Sequence, residues 1–395
     1  MSNFPQYNVN NQHELITREN KYVLDRKLVT IHSEDRDITK WPNTNMFEVE
    51  LPEALTKVQS IRLVEIELPA NQYIFSNNQQ NVKMRFYINN PRLRKTSYMN
   101  HYTALEKNKD IPYNITIQEG YYTPEQMANE IQNLMNKAVL EVLKNEGISD
   151  ATYDLFKVKY DKVAQKIVFG NTYDNFYLSF DTKIYYDVSC NTVLKNKQHD
   201  NVWEQYAKWG LPSYLGFEKK KYNTIETSST LSFNYENNDW LVPNTTFLTK
   251  SMEPKANYIY APNTTSMFGD SAIYMEFDKY NNIDEISPYS RRTTNSYNND
   301  YNGKVNSAFA KIPVTITPSD MNNQIFDSRN NFLQNISQYN PPIEKIKKAK
   351  FLFRYHDGRL VDFKDTNFNF TIAFDQLRDE IARDYTIRVP HQYML

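Results

Sequence analysis

The sequence has a single cysteine, Cys190, in 395 residues. One thiol excludes an internal disulfide framework and any cysteine-built zinc site. Glycine is scarce too, eight in all, against an ordinary usage of roughly 7%, so phosphate-cradling glycine loops have little to be built from. Neither sign of charge dominates. Lys and Arg number 46, Asp and Glu 47, which gives no general attraction to nucleic acid or an anionic membrane. No apolar run approaches the ~20 residues of a spanning helix. The opening MSNFPQYNVNNQ lacks the basic and apolar regions of a secretory signal. His13, His32, His101, His199, His356 and His391 are scattered, with no pair four apart. No Gly-x-Ser-x-Gly elbow, Walker loop or His-Glu-x-x-His is present. Asp35/Asp37 and Asp284/Glu285 lack the ligand spacing of a calcium loop. The chain is therefore read as non-enzymatic, with no catalytic residue, cofactor or metal site.

Aromatics and asparagine are plentiful, with 30 Tyr and 22 Phe. Aromatics favour strands and asparagine favours turns. Residues 29–69 set the pattern. Val29–Ile31 opens a strand, and Pro42-Asn43 marks a turn. Phe47, Val49 and Leu51 then alternate with Glu48 and Glu50, the period of a half-buried strand. Ile61, Leu63 and Glu65 are expected on one face of a third strand, with Arg62, Val64 and Ile66 on the other. Asp25/Arg26 and Asp35/Arg36/Asp37 read as ion pairs pinning the first strand.

Further strands are expected at 82–88, 115–117, 156–160, 167–169, 176–180, 231–233, 240–242, 273–277 and 308–314, with 351–355, 360–363 and 368–374 closing the set. Asp357-Gly358 is a strong hairpin signal. One helix stands out, over about 123–146. Thr123 is its N-cap, Pro124 its first residue and Gln126 completes a capping box. Met127, Ile131, Leu134, Met135, Ala138, Val139 and Val142 keep the spacing of one helical face. Residues 89–112, 181–208, 279–303 and 318–340 are polar connections. About a dozen short strands with one strong helix indicate an all-β sandwich, and periodicity alone does not separate a jelly roll from an immunoglobulin-like sandwich.

Four ordered blocks carry a resemblance. The first is Arg36-Asp37, Pro42-Asn43, Phe47-x-Val49-x-Leu51-Pro52, Val58-x-Ser60-Ile61-x-Leu63 and Leu68-Pro69. The second runs from Tyr113 through Gly120 into Thr123-Pro124-Glu125-Gln126-Met127. The third is Leu211-Pro212-x-x-Leu215-Gly216-Phe217-x-Lys219-Lys220-x-Tyr222. The fourth runs from Pro341-Pro342-Ile343 through Asp357-Gly358-Arg359 to Phe368-x-Phe370-Thr371. Together they resemble the smaller jelly-roll structural proteins, the minor capsid proteins, of giant nucleocytoplasmic large DNA viruses. The tandem jelly rolls and Ile-Thr-Phe-Phe-Lys strand of the major capsid protein are missing.

The resemblance implies a jelly-roll β-sandwich over 26–377 with the helix inserted, an N-terminal arm at 1–25 and a C-terminal tail at 378–395, read as a short amphipathic helix and a free end. It implies a minor capsid protein made in the host cytoplasm and incorporated in the virion shell, cementing or scaffolding capsomers on facets or at the vertex. Its partners would be the major capsid protein and other minor capsid proteins in a large homo- or hetero-oligomeric assembly. Arg92, Arg94, Lys219, Lys220, Arg291 and Arg292 are the candidate contacts. Two alternatives differ in class: a receptor- or glycan-binding spike using tyrosines of 279–303, and a metal-dependent cupin-like enzyme in which His32 and His356 meet across a sheet. The run Lys345–Arg354 could bind nucleic acid through its bases and aromatics, but as a strand it places lysines on the wet face. Nucleic acid is not an expected partner.

Overall fold

The computed structural model describes residues 21–77, 79, 81–180, 209–236, 238–249, 251–286, 305–314, 324–327, 336–356 and 358–382. In chain order, β1 (Lys21–His32) and β2 (Met46–Leu68) precede β3 (Lys83–Asn90), helix α1 (Met99–Lys107), β4 (Tyr113–Thr116) and helix α2 (Pro124–Asn145). Next come β5 (Phe156–Asp161), β6 (Lys166–Asn171), β7 (Asn175–Ser179), the short helix α3 (Leu211–Tyr214), β8 (Lys221–Asn223), β9 (Ile225–Thr227), β10 (Leu231–Ser232), β11 (Asp239–Leu241) and β12 (Ala256–Tyr260). The remainder is β13 (Ala272–Phe277), β14 (Ile283–Ile286), β15 (Val305–Ala308), β16 (Ala310–Pro313), β17 (Gln324–Asp327), β18 (Ile336–Arg354) and β19 (Asn369–Ala382). The fold is mostly β, every pairing among these strands is antiparallel, and the chain forms two compact units. Among the described residues no helix is long and apolar enough to cross a membrane.

The first unit draws on Met1–Gln72, Ala272–Ser287 and Val305–Leu395. Its main sheet has the order β1-β19-β2-β18-β13-β16, with β17 also on β2. Strand β2 runs unbroken for 23 residues, where the sequence pattern suggested two strands. The reason is bulging. Against β19 the register skips Gln59 and Val64, and each extra residue moves the following side chains to the opposite face. Ile61, Leu63 and Ile66 are consequently all buried, so Ile66 does not share the outer face expected for it. The core is aromatic: Phe351 and Phe370 have ring centroids 4.9 Å apart, as do Phe353 and Phe368, and Phe47 packs 5.9 Å from Phe351.

Charges at the ends of this sheet join strands rather than neighbours in sequence. Arg26 pairs with Asp375 at 2.7 Å and Asp25 with Arg378 at 3.3 Å, both linking β1 to β19. Arg36 donates instead to the carbonyls of Ser33, Trp41 and Pro42 and to Asn367. Pairing begins at Lys21 and extends to Ala382, so residues 21–25 and 378–382 are strand, not arm and not helix; the other residues of those two terminal segments lie outside the described ones. Lys347 and Lys348 meet Glu50 and Glu48 across the strands at 2.9 and 3.3 Å, which fixes them on the wet face.

The second unit draws on Tyr73–Ser271 and Pro288–Lys304. Eight strands make two four-stranded sheets, β4-β3-β7-β8 and β5-β6-β12-β9, with β10-β11 as a separate pair. Phe86 and Phe176 from one sheet and Phe156 and Phe169 from the other enter a single core, the double-sheet packing and strand count of a jelly roll. Helix α2 has the expected capping box: Thr123 Oγ1 accepts from Gln126 N–H, and Gln126 Oε1 accepts from Thr123 N–H. It buries Met127, Ala128, Ile131, Met135, Val139 and Leu143. Its polar flank covers the β5 edge. Asn136 both donates to and accepts from the Phe156 backbone, and Gln132 accepts from Val158 N–H, so an edge that would otherwise solicit another strand is satisfied. Helix α1 lies within the stretch read as a polar connection. It buries only Ala104 and Leu105, too few for a periodic signal.

Candidate functional site

The six candidate contact residues do not form one site. Arg291 and Arg292 lie outside the described residues, as do Cys190 and most of the tyrosine-rich segment 279–303. Arg92 and Arg94, between β3 and α1, converge on the turn between β6 and β7. Asn171 shapes that turn, its Oδ1 accepting from the N–H groups of Tyr173 and Asp174 at 2.9 and 2.8 Å, the habit of an asparagine that stands in for a backbone carbonyl. Asp174 Oδ2 then accepts from Arg94 Nη2 at 2.6 Å and from the Tyr153 hydroxyl at 3.1 Å, while Oδ1 accepts from Arg92 N–H. The Arg94 guanidinium also lies 5.2 and 5.5 Å from the rings of Tyr173 and Phe247. Burial pushes the Tyr153 hydroxyl well above the ordinary tyrosine range, with the Asp174 charge adding to it.

Arg94 is 2% exposed, so its place in the second unit is internal and it has no surface to offer a partner. A charge in a polar segment reads as surface, but here a buried carboxylate pulls it in. Arg92 is half-buried and donates to the carbonyls of Lys255 and Glu253 at 3.1 and 2.7 Å. It clamps one loop to another.

Lys219 and Lys220 follow a tightly folded turn. Gly216 has φ of +89°, and a Cβ there would collide with the carbonyl of Asn263, so the Leu215-Gly216-Phe217 sequence admits no larger residue without rearrangement. Lys219 Nζ lies 5.6 Å from the Trp209 ring, and Lys220 pairs with Glu218 at 2.7 Å beside the Tyr222 ring. The Glu218 partner raises the Lys220 ammonium pKa. Lys220 and Lys221 are exposed and Lys219 half-exposed, a basic strip at the start of β8.

His32 and His356 do not meet. His32 lies 4.0 Å from Glu34, and His356 lies 3.1 Å from Glu285, which itself pairs with Arg354. Among the described residues no group of three or more His, Cys, Asp or Glu is placed to hold a metal ion.

Sequence reasoning missed a cleft of about 560 Å³ in the second unit, where the segment before α2 passes the helix's outer face. Tyr73, Tyr121 and Tyr122 supply its aromatic wall. Gln126, Asn129, Glu130 and Asn133, at helical spacing on the face opposite the core, supply the polar one. The signal was there in the Gly120-Tyr121-Tyr122 run and the amide-rich outer stripe, but a wet helical face is ordinarily only solvated.

No family model and no curated protein matches the chain. Among solved structures, the selenomethionine-labelled mavirus penton protein is 9% identical with a TM-score of 0.34, over 91% of this chain and 100% of that one. A chain of the Sputnik virophage, solved by cryo-EM at 3.5 Å, is 11% identical with a TM-score of 0.35, over 91% and 98%.

Proposed function

We propose that the chain is a non-enzymatic virion structural protein of a large icosahedral DNA virus: a minor capsid protein that cements or scaffolds major-capsid capsomers. The observation that carries this reading is where the four resembling blocks fall. The first and fourth, nearly 300 residues apart in sequence, become neighbours in one sheet, with β2 lying between β18 and β19. The second is a strand feeding a capped helix, and the third is the glycine-dependent turn at Gly216. Blocks that resembled a family only in order thus hold the framework of both units.

In this reading the shell contacts come from Lys219, Lys220 and the half-buried Arg92, from Arg291 and Arg292, and from the terminal segments 1–25 and 378–395 outside their paired strand residues 21–25 and 378–382. Each contact is weak and the lattice multiplies them. Partners are the major capsid protein and other minor capsid proteins, on facets or at the vertex. Crosslinking mass spectrometry on purified particles tests it. Crosslinks from Lys219, Lys220 or Lys221 to a major capsid protein are expected; absence of the chain from particles overturns the reading. The second reading is a receptor- or glycan-binding spike protein on the virion surface, for which the cleft beside α2 offers a surface apart from the tyrosines of 279–303.

A further inference from the structure

We propose that the cleft between the Gln118–Tyr122 segment and the outer face of α2 is a binding site for a neutral oligosaccharide. Sugars are held by two kinds of group in combination: aromatic faces that cover the C–H side of a pyranose ring, and planar amides or carboxylates that bridge its hydroxyls. The cleft is lined by both. Its volume, about 560 Å³, falls within the ~300–1,000 Å³ of small-ligand clefts.

The aromatic wall is fixed before any ligand arrives. The Tyr73 and Tyr121 rings stand perpendicular with centroids 5.7 Å apart. Tyr122 is held by Phe75 at 5.7 Å and by its own hydroxyl, which donates to the Gln118 carbonyl at 2.7 Å. Phe75 and Gly120 exchange backbone hydrogen bonds of 3.1 and 2.9 Å that tie Tyr73's segment to the Gln118–Tyr122 segment. A preformed wall costs little ordering entropy on binding. Burial, with Glu130 nearby, raises the Tyr122 hydroxyl to about 12, so it stays protonated and donating to Gln118 across the physiological range, and its oxygen is left to accept.

The polar wall has a fixed backbone beneath it. Asn129, Glu130 and Asn133 project from a helix whose other face is core, and among the described residues their side chains make no hydrogen bond or ion pair with the protein. Those groups are available to hydroxyls. The lining has Glu119 and Glu130 and no lysine or arginine, so sulfated or sialylated chains would meet carboxylates with no compensating cation. That selects the neutral class. Among the described residues, none of the tyrosines of 279–303 lines this site.

The test is a glycan array carrying neutral, sulfated and sialylated oligosaccharides, probed with the full chain and two variants. Asn133→Ala removes an exposed amide and puts a better helix former in its place, so it folds. Tyr121→Ala removes part of the aromatic wall. Binding confined to neutral glycans, weakened on the order of tenfold in each variant, is expected. A Lys219→Ala/Lys220→Ala chain should bind as the parent does. No binding to any glycan, binding only to acidic glycans, or neutral binding untouched by Asn133→Ala in folded protein overturns the site. The inference does not rest on the shell role: particle crosslinking can fail while glycan binding stands, and the reverse.

Discussion

Arg94 Nη2 and Asp174 Oδ2 lie 2.6 Å apart with their side chains 2% and 0% exposed. Eighty residues separate them in the chain, and the pair joins the loop after β3 to the turn before β7. Such a pair is costly to break from one side, because the survivor is left charged and buried.

Arg94→Met should therefore lower the stability of the second unit by about 3–5 kcal/mol. Adding Asp174→Asn should recover part of that loss, since no lone charge is left behind. Denaturant titration followed by circular dichroism reads both, and equal stability of the single and double variants would mean the charge itself is immaterial.

Asp375 gives the first unit a pH dependence. The Arg26 guanidinium bonded to it, helped by the Ser60 hydroxyl at 2.6 Å, holds its carboxyl below the usual range against a smaller opposing effect of burial. A depressed carboxylate contributes fully above its unfolded value near pH ~4, and the contribution fades as pH falls through the lower folded value. Arg26 is more than half exposed, so screening limits the effect to about 1 kcal/mol or less. Asp375→Asn should lower the urea midpoint at pH 7 and leave a shallower decline below about pH 4. Parallel curves for the two proteins would contradict this.

Gly147 and Gly216 share a φ of +89° but not their surroundings. Around Gly147 a Cβ would meet nothing within 4 Å, whereas at Gly216 it would strike the Asn263 carbonyl. Gly147→Ala should cost about 1 kcal/mol, the price of the backbone conformation alone. Gly216→Ala should cost visibly more, about 2–4 kcal/mol when the displaced loop is included. Thermal melts of the two variants compare them directly.

What was legible in the sequence was local. Thr123, Pro124 and Gln126 announce α2 because capping chemistry is contained within four residues. β2 was cut in two because the bulges at Gln59 and Val64 break its period, and a bulge is decided by the partner strand. The partners of Asp25 and Arg26 were sought next door, yet they sit on β19, a choice only the completed sheet makes. At the candidate site, Lys219 and Lys220 were found at the surface as lysines ordinarily are. Arg94 was not, since nothing near it in sequence reveals Asp174. The cleft was half visible: its tyrosines are adjacent, but only folding sets Tyr73 against them.

Strand β19 lies between β1 and β2 in the sheet, and among the described residues β1 has no other strand partner there. On the ribosome, then, β1 and β2 emerge first; β2 waits for β17 and β18, and β1 for the still later β19, with their edges open. Meanwhile Tyr73–Ser271, an uninterrupted stretch, can finish its own core, since domains fold as units during synthesis. Unpaired edges invite pairing with other chains for as long as they persist. A chain that stops short of Asn369 leaves β1 permanently without a neighbour, so closure of the first unit certifies that translation has run through β19.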